Sequence, residues 1–267
     1  MKTCITLAAL GAACAALAGE DSSPWDIALG MQARHQPHYL GSDAKGTHLL
    51  PLVRLSYTTD YGSVRLGTLP GADAPLLSYS PVETANAALG MAMGIDPGRS
   101  DTDAGALLPG STRLKGMGSL PGTQVVALFG SYRMQDITVH GLYRGAIDAN
   151  TGHGGQLGTL QLAYALPVGG PLSASLQAGV TWANQTYMQN MFGVTAQQSV
   201  DTGFAVHAPG SGVRDYTLGL DMRYRVEKHV ILLGGLGLTR LAHDAASSPI
   251  VQDPLQPRMY AGAMYHW

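Results

Sequence analysis

Leu172-Ser173-Ala174-Ser175-Leu176-Gln177-Ala178-Gly179-Val180-Thr181-Trp182 alternates an apolar side chain with a polar or tiny one along its whole length. Successive side chains of an extended chain point to opposite faces. Leu172, Ala174, Leu176, Ala178, Val180 and Trp182 therefore share one face, and Ser173, Ser175, Gln177, Gly179 and Thr181 the other. A tilted strand needs roughly 9 to 11 residues to cross a bilayer, and Trp182 falls at an end, where membrane barrels carry an aromatic girdle. This stretch reads as a transmembrane β-strand with one face to lipid and one to a lumen.

The same period recurs along the chain. Trp25, Ile27, Leu29 and Met31 point outward from 25 to 33, with Asp26 and Gln32 opposite. Leu89, Met91, Met93 and Ile95 do so from 86 to 96, and Tyr216, Leu218, Leu220, Met222 and Tyr224 from 215 to 226. Further strands read at 49 to 59, 62 to 68, 123 to 134, 136 to 148, 156 to 166, 229 to 241 and 257 to 267. That set is odd in number, whereas bacterial barrels close with even numbers, so the short stretch Pro75 to Tyr79 completes twelve. Ten is the alternative if 62 to 68 and 75 to 79 belong to one loop. A soluble β-sandwich also alternates, but it keeps its apolar faces paired inside.

Composition narrows the class. Residues 1 to 18 carry Lys2, an apolar run from Ile5 to Leu17 and Ala16-Leu17-Ala18, the pattern of a Sec-type signal peptide cleaved after Ala18. A lipoprotein reading at Cys14 is weaker, because Gly11 stands where an apolar branched residue belongs. Cleavage removes both cysteines of the chain, Cys4 and Cys14, so residues 19 to 267 form one barrel with neither disulfides nor thiolate chemistry. The 16 basic residues, one of them Lys2, face 18 acidic ones, and this slight negative balance excludes a nucleic-acid partner. Beyond the signal no apolar run is long enough for a helical span, while hydrophobic residues at 45% and 35 glycines suit strands diluted by alternation.

With both termini in the periplasm, the short connections Thr59 to Tyr61, Ser80 to Ala85, Gln135, Pro167 to Pro171 and Glu227-Lys228 fall on one side. The longer ones, 36 to 48, 97 to 122, 149 to 155, 183 to 214 and 242 to 256, fall on the other, as extracellular loops do. The chain closes on Tyr265-His266-Trp267, a terminal aromatic signal for the barrel-assembly machinery. The localisation this implies is the Gram-negative outer membrane, with its lipids around the barrel.

Four word-like segments occupy those loops: Pro37 to Asp43 with Tyr39, Gly41, Ser42 and Asp43; Gly98-Arg99 through Gly118; Trp182 to Met188 with Tyr187, Met188, Phe192 and Gly193; and Leu241 to Val251 with Asp244, Ser248 and Pro249. In this order they resemble the MipA/OmpV family of outer-membrane proteins, named for interaction with the lytic transglycosylase MltA. The resemblance implies a non-enzymatic scaffold that joins a murein hydrolase to a murein synthase, with adhesion or permeability roles in relatives. The chain ends on Trp267 where the family usually ends on Phe, and the segment after the second motif is rich in Gly and Pro. The topology puts every motif on the extracellular side, whereas a murein scaffold presents its partner surface to the periplasm. Either the loops fold inward as a plug, or the motif end is the working end.

Candidate sites are weighed on their chemistry. His243, Asp244, Ser247 and Ser248 hold the side-chain types of a hydrolytic site, but adjacent His and Asp diverge in an extended chain and Ser-Ser-Pro reads as a turn. On the 136 to 148 strand, Asp136, His140, Arg144 and Asp148 recur every fourth residue, ~13 Å apart, facing the lumen. They read as a polar ladder filling the interior, with a selectivity lining as the alternative, which Arg54, Arg223 and Arg225 would join. His35, His38 and His48 lack metal-ligand spacing, so no metal or other cofactor is expected. Tyr39, Tyr187, Met188 and Phe192 read as the packing core of an ordered loop rather than a sticky binding patch. The alternatives to a scaffold are a narrow channel for small polar solutes and an adhesin or surface receptor using the long loops.

Overall fold

The computed structural model describes residues 23–102 and 110–267. Residues 1 to 18, read above as a signal, lie outside them. Twelve antiparallel strands close into a barrel, each bonded to its neighbours in chain order, and β1 (Trp25–Pro37) meets β12 (Leu255–His266) in a register that runs from Ala28 opposite His266 to His35 opposite Met259. Between them lie β2 (Lys45–Thr59), β3 (Gly62–Gly67), β4 (Leu76–Glu83), β5 (Ala87–Asp96), β6 (Thr123–Met134), β7 (Ile137–Ala146), β8 (Gln156–Ala165), β9 (Leu172–Ala183), β10 (Gly212–Arg225) and β11 (Val230–Leu241).

The alternation sorts as the period requires. Leu29, Met31, Leu89, Met91, Met93, Leu128, Leu160, Leu176, Leu218 and Leu236 stand exposed on the outside, an apolar belt that only membrane lipid can cover. Aromatic residues edge this belt. Trp25, Tyr57, Tyr132, Tyr164, Tyr224 and Tyr265 are exposed towards one rim, and Tyr143, Trp182 and Tyr216 towards the other. No helix among the described residues is long and apolar enough to cross a membrane.

Several element ends differ from the sequence expectation. The loop expected at 36 to 48 contracts to 38 to 44, because β1 and β2 stay paired out to Pro37 opposite Lys45. β4 runs past Tyr79 to Glu83, since a register shift between Tyr79 and Val82 absorbs Ser80 and Pro81 without ending the ladder. β10 begins at Gly212, and its irregularity between Val213 and Asp215 hides the period there. Helices α1 (Gln185–Phe192), α2 (Ala196–Thr202) and α3 (His243–Ala246) occupy loops that alternation alone could not resolve.

One sector of the wall is low. β3 has 6 residues and β4 has 8, against 10 to 15 in the other strands. β2 pairs with β1 from Lys45 to Tyr57 but with β3 only from Leu55 to Thr59, so its loop-end half has one strand neighbour. Pro51 lies in that half, where the missing N–H breaks no ladder on the open side. The connection 68–75 turns inward instead of rising over the rim. Leu69 packs against Leu76, Ala92, Val125, Ala127 and Leu142, all lumen-facing.

Candidate functional site

Two structures fill the barrel: a cap across the end with the long loops, and a charged lumen beneath it. The cap forms because each loop has a local reason to fold and an apolar face to bury. Asn184 caps α1, its side chain accepting the Tyr187 N–H, and Thr195 with Gln198 makes a capping box that starts α2. α1 then buries Tyr187, Met188 and Phe192 against the inward tops of the wall, Leu157, Ala183 and Leu241, and against Ala245 of α3. A second cluster joins Tyr39, Leu114, Met117, Val194 and Ile250 from four different loops. Fully burying such side chains contributes about 1.5 to 3 kcal/mol each.

Polar bonds tie the same segments together. The Tyr39 hydroxyl donates to the Ile250 carbonyl at 2.9 Å, Arg99 Nη1 to the Met191 carbonyl at 3.3 Å, and Ser248 Oγ to the Phe192 carbonyl at 2.5 Å. Burial pushes the Tyr39 and Tyr187 hydroxyls up from the ordinary phenol range, which keeps both as donors or neutral acceptors. Gly98 is required by contact: a Cβ there would sit 2.0 Å from the Leu120 carbonyl, across the bridge that Arg99 makes to Leu120. Gly41, Ser42 and Asp43 turn over the 242 to 254 loop, with the Gly41 N–H donating to Gln256 Oε1 and that of Asp43 to Gln252 Oε1. Gly193 ends α1 and Pro249 follows the buried Ser248.

This accounts for the suspected hydrolytic residues. The Ser248 hydroxyl is committed to Phe192, Ser247 Oγ donates to the Asp244 carbonyl, and Asp244 Oδ2 accepts the Gly210 N–H at 2.8 Å. His243 stands exposed at a positive φ of 46°, and its side chain is bonded to none of them. Among the described residues no three His, Cys, Asp or Glu side chains converge as metal ligands, and His35 Nδ1 instead meets the Thr47 hydroxyl at 2.9 Å.

Below the cap, Arg144 is a deeply enclosed charge. It is 2% exposed, and its guanidinium donates to Asp96 Oδ1 at 3.0 Å and Asp73 Oδ2 at 3.1 Å. His153 Nδ1 accepts the Gly155 N–H, which leaves the proton on Nε2, 3.3 Å from Asp96 Oδ2. Its ring packs edge-on to Tyr187 at 4.8 Å, and the Tyr187 hydroxyl takes a 2.7 Å bond from Arg214, itself paired with the fully buried Asp215. This chain of contacts runs from the lumen wall into the cap.

Of the ladder read on 136 to 148, His140 and Arg144 face the lumen, paired across the wall with Ser131 and Ala127. Asp136 and Asp148 do not belong to it. β7 spans only Ile137 to Ala146, so Asp136 sits exposed in the turn, and Asp148 lies in the opposite loop. The Asn150 N–H, then the Thr151 hydroxyl, hold the Asp148 carboxyl below the usual range. Arg54 faces the lumen and pairs with Asp26 at 3.2 Å, which His266 also approaches at 3.3 Å. Arg223 and Arg225 face inward near the turn end of β10. Tyr265 and Trp267 pack edge to face at 4.7 Å on the outer rim, and the Trp267 N–H donates to the Ile27 carbonyl.

Sequence reading missed Arg34, Asp73, Arg214 and Arg258. The period of β1 and β12 would have placed Arg34 and Arg258 inside, but nothing local marks 68–75 as an inward segment.

A closed barrel with an apolar outer belt, aromatic rims and a polar interior is a Gram-negative outer-membrane protein. The model of the family described as MltA-interacting protein MipA matches residues 29–267, and the chain belongs to that family. No curated protein matches the sequence. Among solved structures, the NanC porin is similar at 8% identity and a TM-score of 0.49, covering 89% of this chain and 98% of that one. The KdgM porin follows at 12% identity and 0.44, covering 90% and 99%. The translocator domain of the autotransporter NalP from Neisseria meningitidis is similar at 11% identity and 0.45, covering 93% and 90%.

Proposed function

We propose that this protein is a non-enzymatic outer-membrane anchor for murein-processing enzymes, holding a lytic transglycosylase, and through it a murein synthase, at its turn end in the periplasm. The family description, MltA-interacting protein MipA, supplies the partner class. The observation that carries the reading is where the motif residues go. Tyr39, Ser42, Arg99, Tyr187, Met188, Phe192 and Ser248 are all buried inside the cap. Side chains committed to the cap's own packing offer little to an outside partner, which leaves the short turns at 60–61, 84–86, 135–136, 166–171 and 226–229 as the free periplasmic face. The conflict between motif position and partner position disappears on this reading.

The test is partner capture on immobilised, refolded barrel, followed by replacement of 167–171 and Glu227-Lys228 with Gly-Ser. Retention of a lytic transglycosylase that the replacement abolishes is the expected result. Contacts unchanged by the replacement would sink the reading. A narrow channel is the second reading, supported by the arginines exposed to lumen water. Silent single-channel recordings from folded protein would remove it.

A further inference from the structure

The connection 68–75 brings a carboxylate into contact with Arg144 and within electrostatic reach of Arg34, Arg214 and Arg258. Gly71 lies against Thr159 of β8, at a φ of 82°, and Asp73 then reaches Arg144 of β7. The Asp73 side chain keeps 51% of its surface exposed while enclosed by the barrel, so water reaches it from the lumen. Arg214 and Arg258 act on it electrostatically after Arg144, and Arg34 feels both Asp73 and Arg258.

Arg34 and Arg258 differ from the other two. Arg144 and Arg214 have fixed partners in Asp96 and Asp215. Arg34 and Arg258 make no hydrogen bond or salt bridge with any described residue, although Arg258 is exposed inside the barrel. They are diagonal neighbours on the lumen face, since Arg34 lies opposite Tyr260. The Arg258 side chain is laid over Gly237, where an added Cβ would come within 2.5 Å of its Nε. Two like charges held side by side, with no fixed partner of their own and only the tethered Asp73 to balance them, describe a place for an anion. Guanidinium groups match the two oxygens of a carboxylate through paired N–H donors.

We propose that Arg34, Arg144, Arg214 and Arg258 form a binding site for a small carboxylated solute, with Asp73 as its tethered occupant. Ligand binding and withdrawal of 68–75 are then one exchange. The site needs neither conduction nor an enzyme partner, so it stands apart from the function proposed above.

Calorimetry on the refolded full barrel tests this with sodium glucuronate as probe, and with glucose and inorganic phosphate as comparisons. Asp73→Asn keeps the shape of the tether and removes its charge. It should bind glucuronate about tenfold more tightly than the unaltered chain, because an internal competitor lowers apparent affinity by the fraction of sites it fills. Adding Arg34→Gln and Arg258→Gln should abolish that gain, and glucose should bind to none of the forms. Equal binding by the unaltered and Asp73→Asn barrels, or binding that survives loss of both arginines, overturns the proposal. Tighter binding of phosphate than of glucuronate overturns the carboxylate assignment. Hydrogen exchange on the unaltered chain gives an independent reading should a variant fail to fold. Saturating glucuronate should speed exchange at 69–74, and bound glucuronate with unchanged exchange refutes the competition.

Discussion

The two ends of the barrel are built on different terms. At the loop end, four connections fold over the lumen and bury Tyr39, Leu114, Met188, Phe192, Val194 and Ile250 in two apolar clusters. At the turn end the connections are short, and their side chains, Tyr61 and Asp136 among them, stand in solvent. The difference teaches where sequence freedom lies. A substitution in the cap is felt by several segments far apart in the chain, whereas one in a turn is felt by its own hairpin.

The largest expected effect breaks the cap. Phe192→Ala removes a fully buried ring and should cost about 3 to 5 kcal/mol, as large-to-small core substitutions do. Because the barrel ladder is untouched, the loss should appear as at least tenfold faster proteolysis within 184–211, with the folded barrel still resistant to detergent until heated. Loss of the whole barrel instead would show that the cap and wall fold as one unit.

Next comes Asp215→Asn, which strips the counter-charge from the buried Arg214. Breaking a buried pair by neutralising one partner costs about 3 kcal/mol or more. A urea-unfolding midpoint in detergent should fall accordingly, and Asp26→Asn near the turn end should move it far less, since that pair with Arg54 is part-exposed.

A subtler effect concerns Asp73. Enclosure opposes its ionisation, but Arg144, then Arg214 and Arg258, hold its carboxyl below the usual aspartate range. Its contribution is therefore complete above the ordinary aspartate pKa and is lost as pH falls through the lowered folded value. The groups facing it are Arg144 and Asp96 with His153, Arg214, Arg258 and Arg34. A fluorophore on Ala74→Cys should report release of the segment on acidification, and Asp73→Asn should be released at every pH.

The smallest effect is expected from Glu227-Lys228→Gly-Ser. Barrel stability should stay within about 0.5 kcal/mol, as for exposed surface changes, while capture of a lytic transglycosylase is lost. A large drop in stability would erase the contrast between the two ends.

The sequence by itself determined the barrel and the faces of most strands, because a period of two is a local property of the chain, while twelve strands against ten was decided only when β3 and β4 were seen to pair in the wall. It placed Arg54, His140, Arg144, Arg223 and Arg225 on the lumen side for the same reason. It misplaced Asp136 and Asp148, since alternation continues in the letters after the ladder has ended. What only the tertiary structure decided is which loops meet. Asp73 reaches Arg144, Tyr39 reaches Ile250 and Arg99 reaches Met191 because the wall brings their strands round to face one another and two short strands leave a low sector through which 68–75 turns inward. Such encounters depend on barrel closure and register, which no stretch of ten residues contains.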